Sequence, residues 1–135
     1  MKVLITGGAG YIGSTVASAC IDAGISPVIL DNLVTGRREF VRGREFYEGD
    51  IADGSMIDKV FGEHPDIDAV VHCAALIVVP ESVADPVRYL PGEGEAFLAR
   101  CQETLARAGR PTLSLRGSWE ERTALAVKSV TALLA

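Results

Sequence analysis

The chain has 135 residues, 48% of them apolar and 23% charged, with a net charge of −5 and a pI near 5.0. That size fits one domain, on a prior of roughly 100–200 residues for each, and leaves little room for a second. The acidic balance argues against a nucleic-acid partner, which calls for a clustered basic face, and no apolar run nears the roughly 18 residues of a membrane span.

Strands and helices alternate along the chain. Lys2–Thr6 (KVLIT) reads as a strand. Tyr11–Ala23 carries Ile12, Val16, Ala19 and Cys20 at helical spacing, and Gly24 is placed to end that helix. Pro27–Leu30 is a second strand and Glu45–Tyr47 a short third one. Ser55–Phe61 sets Met56, Ile57, Val60 and Phe61 on one helical face, with Asp53 or Ser55 as cap. Asp68–His72 is a fourth strand that runs into the small-residue stretch CAALIVV.

Further on, Glu93–Ala108 places Phe97, Leu98, Cys101, Leu105 and Ala108 on one stripe, closed by Gly109. Thr112–Leu115 is a fifth strand candidate. Ser118–Leu134 opens with the spacing of a capping box, Ser118 to Glu121. Trp119 and the Val127, Val130 and Leu134 stripe are expected to pack as core. Alternating strands and helices predict an α/β fold, a three-layer, doubly wound parallel sheet of about five strands in the order 3-2-1-4-5. Residues 1–135 form a single domain on this reading.

The glycines of TGGAGYIG, Gly7 to Gly13, fall between the first strand and the first helix. Gly7 can make the tight turn, Gly10 lets a pyrophosphate approach the main chain, and Gly13 lets the helix pack closely on the strand. The first-turn amides then face the phosphates, aided by the helix dipole. Asp31 ends the second strand, where a carboxylate accepts from ribose hydroxyls and repels a 2′-phosphate. NAD is therefore the expected ligand, although Arg37 and Arg38 stand close by in sequence. A phosphate-binding Walker loop is excluded, because Ser14 occupies the lysine position.

TGGAGYIGS, DNLVTGRRE, EGDI and VVHCAALIVVPESVADPVRY occur in that order. Together they resemble the N-terminal half of the extended short-chain dehydrogenase/reductases, in the branch of the UDP-glucose 4-epimerase-like sugar-nucleotide epimerases and dehydratases. The resemblance covers residues 1–90 and implies a Rossmann domain that binds NAD. By position it implies that Gly7, Gly10, Tyr11, Ile12 and Gly13 contact the pyrophosphate. Asp31 and Asn32 would hold the adenosine ribose, and Asp50 and Ile51 would border the adenine. Cys73, Ala74 and Ala75 would line the way to the nicotinamide ribose.

The same family uses a Tyr-x-x-x-Lys pair as its acid/base machinery. Tyr11, Tyr47 and Tyr89 are followed at that spacing by Thr15, Ile51 and Glu93, so the pair is absent and no catalytic residue is assigned. Ile77 stands where such proteins often carry a lysine, and Glu93 near an expected asparagine. The serine cluster is replaced by TLSLRGSWEER, and the sugar-binding region has no counterpart. Residues 91–135 read as a recombined or strongly drifted helix–strand–helix tail. The expected function is thus an NAD-binding module that is catalytically incomplete. A truncated or variant UDP-glucose 4-epimerase acting on a sugar nucleotide, and an engineered or chimeric scaffold with no activity, are the alternatives.

The remaining features are plain. MKVLITGG is too short for a signal peptide's apolar region, so a cytoplasmic setting is expected. Cys20, Cys73 and Cys101 are odd in number and set among apolar neighbours, the pattern of small core residues. His64 and His72 offer no metal spacing, and no metal is expected. An exposed fifth strand or a bare apolar face would favour a homodimer.

Overall fold

A computed structural model of the chain describes residues 1–76, 78–85, 93–109 and 118–134. Four strands, β1 (Lys2–Thr6), β2 (Ser26–Asp31), β3 (Glu45–Glu48) and β4 (Ile67–His72), form one parallel sheet. Its order is β3-β2-β1-β4. Helix α1 (Tyr11–Asp22) links β1 to β2, a 3-10 turn at Arg38–Val41 precedes β3, and α2 (Gly54–Glu63) leads to β4. Helices α3 (Val79–Ala84), α4 (Glu93–Arg107) and α5 (Trp119–Leu134) follow. The fifth strand expected at Thr112–Leu115 lies outside the described residues, as do Ile77, Tyr89 and Ser114.

β-branched and aliphatic side chains alternate through β1 and β2, so each strand feeds both faces of the sheet. Leu4, Val28 and Leu30 point to one side, where they meet Ile57 and Val60 of α2 and Phe97 and Cys101 of α4. Val3, Ile5 and Ile29 point to the other, against Ala17 of α1 and Val41. Each fully buried aliphatic side chain contributes about 1.5–3 kcal/mol. Register fixes the layers: Leu4 lies between Val28 on β2 and Val70 on β4. The chain starts in the middle of the sheet, winds outward to β3 and returns to β4. Its direction of winding therefore reverses between β1 and β4, at the carboxyl ends of those strands.

Helix ends follow their chemistry. The Asp53 side chain accepts from the Ser55 amide at 2.9 Å and caps α2. At α5 the Ser118 amide donates to Glu121 at 2.8 Å, and the Glu121 amide donates to Ser118 Oγ at 3.3 Å, a reciprocal capping box. Gly24 and Gly109 close α1 and α4 in the left-handed region.

Three packing expectations are corrected. In α1 the inward stripe is Gly13, Val16, Ala17 and Cys20, while Ile12 is 68% exposed and Ala19 also faces out. Only the smallest side chains fit where the helix meets the glycine loop. In α4, Phe97, Cys101 and Leu105 are buried, but Leu98 and Ala108 turn to solvent, which narrows the stripe. Val127 is not core: every described side chain from Glu120 to Lys128 is exposed. The side chains of Trp119, Val130 and Leu134 lie outside the described residues. Cys101 is a core residue, Cys20 and Cys73 are half-buried, and all three thiols are free. Among the described residues no helix is long and apolar enough to cross a membrane.

Candidate functional site

Strand β1 ends at Thr6 and the chain turns at once. The Gly7 amide donates back to the Leu30 carbonyl at 2.9 Å, and the Gly10 amide to the Gly7 carbonyl at 3.1 Å. Gly7 has φ +69°, and a Cβ there would lie 2.6 Å from the Ala74 amide nitrogen. Only glycine satisfies both the angle and the approach of the segment after β4. A Cβ on Gly13 would meet the Gly7 carbonyl oxygen at 2.3 Å. Gly13 thus permits close packing of the helix on the glycine loop itself, where the sequence suggested the strand.

The first helical hydrogen bond of α1 joins the Ser14 amide to the Gly10 carbonyl at 3.0 Å. The amides of Tyr11, Ile12 and Gly13 precede it in the first turn. No acidic residue lies in that turn, and among the described residues no side chain caps it. Tyr11 is 82% exposed, so with Ile12 it stands at the mouth of the turn rather than over it. The result is a helix N-terminus with donors, a positive dipole end and a small-residue floor.

Asp31 is buried at the end of β2. One carboxylate oxygen accepts from the Ala9 amide at 3.0 Å, and the other from the Leu33 amide at 2.8 Å. The second bond, with that from the Val34 amide to Asn32 Oδ1 at 3.2 Å, makes two successive Asx turns. They hold Leu33 at φ +58°, a conformation costly for a branched side chain. Asn32 Nδ2 donates to Asp50 Oδ2 at 3.0 Å, and Asp50 Oδ1 accepts from the Ala52 amide at 2.9 Å. The loops after β2 and β3 are thereby joined. Ile51 packs on the core, and beside it a cleft of about 640 Å³ opens between the start of α2 and the α4 residues Phe97 and Arg100.

On the far side of the glycine loop, the Cys73 amide donates to the Thr6 carbonyl at 2.9 Å. Burial pushes the Cys73 thiol up. Ala74 presses on Gly7, and Ala75 is exposed. His72 Nδ1 and Thr6 Oγ1 share a hydrogen bond of 2.6 Å, and the imidazole stacks on Phe97 with centroids 4.8 Å apart. Partial burial of the imidazole lowers the His72 pKa.

All the residues singled out in the sequence therefore gather at the carboxyl edge of the sheet: Gly7 to Gly13, Asp31 and Asn32, Asp50 and Ile51, and Cys73 to Ala75. Sequence reasoning passed over Ala9, whose amide reaches Asp31, and Gly36. A Cβ on Gly36 would lie 2.7 Å from Asp31 Oδ1. The glycine five residues after the acidic strand end was the available signal. Among the described residues no group of His, Cys, Asp and Glu could hold a metal ion.

This architecture and glycine turn define a dinucleotide-type Rossmann domain, and comparison with known proteins agrees. Residues 3–99 match the NAD dependent epimerase/dehydratase family, and the chain belongs to it. A UDP-glucose 4-epimerase of Azospirillum brasilense is 51% identical over 89 residues, 65% of this chain and 25% of that protein. One from Neisseria gonorrhoeae is 43% identical over 117 residues, covering 81% of this chain and 34% of the relative. The solved UDP-glucose 4-epimerase of Brucella ovis in complex with NAD superimposes with a TM-score of 0.70 at 40% identity, over 76% of this chain and 32% of that one. The chain thus spans about a quarter to a third of the length of these relatives.

Proposed function

We propose that this chain is an NAD-binding module that does not by itself turn over a sugar nucleotide. The uncapped first turn of α1, with Asp31 fixed beside it through Ala9, carries the reading. A pyrophosphate would lie against the amides of Tyr11, Ile12 and Gly13, over the bare surface of Gly7 and Gly10. Each Asp31 carboxylate oxygen accepts one backbone amide bond and retains a lone pair for a ribose hydroxyl. Asn32 would flank that ribose, and the Asp50 carboxylate and Ile51 would border the adenine. Cys73, Ala74 and Ala75 would line the path toward the nicotinamide.

The residues present fit the cofactor, since the first turn of α1 holds no acidic residue and no side-chain cap, and glycine at position 10 leaves no Cβ beside its amides. When bound, NAD supplies a hydride acceptor at its nicotinamide ring. The chain's own groups bind and orient it, but none of its tyrosines has the lysine partner of a proton-transfer pair. The sequence places the start of a tail of separate origin at residue 91, but the family match runs to residue 99, so that part of the proposal is confined to the residues beyond it. Self-association through exposed apolar side chains such as Val83 and Val127 belongs to the same proposal. Sedimentation tests the latter, and a monomer at every concentration would remove it.

Calorimetric titration with NAD tests the proposal. Saturable heat and thermal stabilisation are expected. Neither, at millimolar cofactor, would leave the glycine turn a structural feature. Interconversion of UDP-galactose and UDP-glucose by this chain alone would overturn the assignment of an inactive module.

A further inference from the structure

Two arginines follow the Asp31 loop, and an arginine near this position is what accommodates the 2′-phosphate of NADP. The fold brings them close. The Arg37 amide donates to the Ala9 carbonyl at 2.8 Å, so the 32–37 loop folds back on the glycine turn and Arg38 follows at its rim. Yet the Arg38 guanidinium is engaged elsewhere. It pairs with the Glu48 carboxylate and lies 5.7 Å from the centroid of the Phe46 ring.

Glu48 is also the register partner of Asp31 across β2 and β3. Parallel partners project to the same side of a sheet, and Ile29 and Phe46, two residues earlier on each strand, share the core on the α1 side. Asp31 and Glu48 are therefore neighbouring acids on one edge. We infer that Glu48 is a specificity-determining residue: by pairing with Arg38 at the end of β3, beside Asp31, it withholds from a 2′-phosphate the arginine that would otherwise stand free to meet it. The inference rests on the proposed NAD site and deepens it. An exposed ion pair contributes little to stability, so Glu48 acts through the direction of one side chain.

The test is calorimetry of the full chain with NAD and with NADP, on wild type, Glu48→Gln, and Glu48→Gln combined with Arg38→Ala. Both positions are exposed, and circular dichroism confirms that the variants fold. Expected is NADP binding roughly twofold to fivefold tighter in Glu48→Gln, the range open to a surface charge pair. NAD affinity stays within about twofold, and the NADP gain disappears in the double variant. Normal NAD binding with unchanged NADP binding in Glu48→Gln overturns the inference and leaves the site intact. A gain that persists without Arg38 also overturns it. A wild-type chain that binds neither dinucleotide removes the site, and this inference with it.

Discussion

The Ala9 amide donates to the Asp31 carboxylate at 3.0 Å, joining the glycine turn to a strand end 22 residues later. One side chain thus sets the distance between the phosphate cradle and the proposed ribose position. Asp31→Ala is expected to weaken NAD binding by about 1–3 kcal/mol through lost charged hydrogen bonds. It also deprives the Ala9 and Leu33 amides of their partner, at a similar cost in stability. Calorimetry and urea unfolding measure the two effects separately.

Gly7 and Gly24 provide a matched pair. Their φ angles are +69° and +72°, but a Cβ on Gly7 would lie 2.6 Å from Ala74, whereas a Cβ on Gly24 meets nothing within 4 Å. Gly24→Ala should cost only the conformational strain, about 1–2 kcal/mol. Gly7→Ala adds a clash with main chain that cannot yield, for about 3 kcal/mol or more. Equal losses in urea unfolding would show that the two turns are not packed as described.

Burial lowers the His72 pKa below its ordinary 6.5, so the unfolded chain binds this proton more readily than the folded one. The neutral ring's contribution is complete above pH 6.5 and is lost as pH falls through that value toward the lower folded one. Thermal unfolding between pH 8 and pH 5 should therefore show declining stability. Substitution His72→Phe should flatten that part of the slope. An unchanged slope would place the proton elsewhere.

Cys101 sits between α4 and the sheet, and burial pushes its thiol up to about 12. Its reaction with a disulfide reagent at pH 8 should wait on undocking or unfolding of α4. Half-buried Cys20 and Cys73 should react sooner. Three thiols of equal rate would contradict the docking of Phe97 and Cys101 on the core.

The strands and the first two linking helices are legible in the sequence to within one or two residues, because aliphatic runs and helical spacing dictate them. The proposed cradle is legible because glycines between a strand and a helix, with an acid at the next strand end, form a recognisable pattern. Other features depend on space, which spacing alone does not encode. Ile12 faces out because a tight loop admits only small residues beneath it. Gly36 is needed because Asp31 lies against it. The Asn32–Asp50 bond joins two loops 18 residues apart, and Leu33 takes a left-handed angle that no leucine advertises. Helix α3 went unread because it is only six residues long, with Pro80 in its first turn.

Amide chemical shifts of the ¹⁵N-labelled chain, followed through a titration with NAD, bear most directly on the proposed cradle. Saturable shifts should centre on Gly7 to Ser14, with smaller ones at Ala9's partner Asp31 and at Leu33. Shifts confined to the cleft beside Phe97 and Arg100, or no shifts at millimolar NAD, would contradict it.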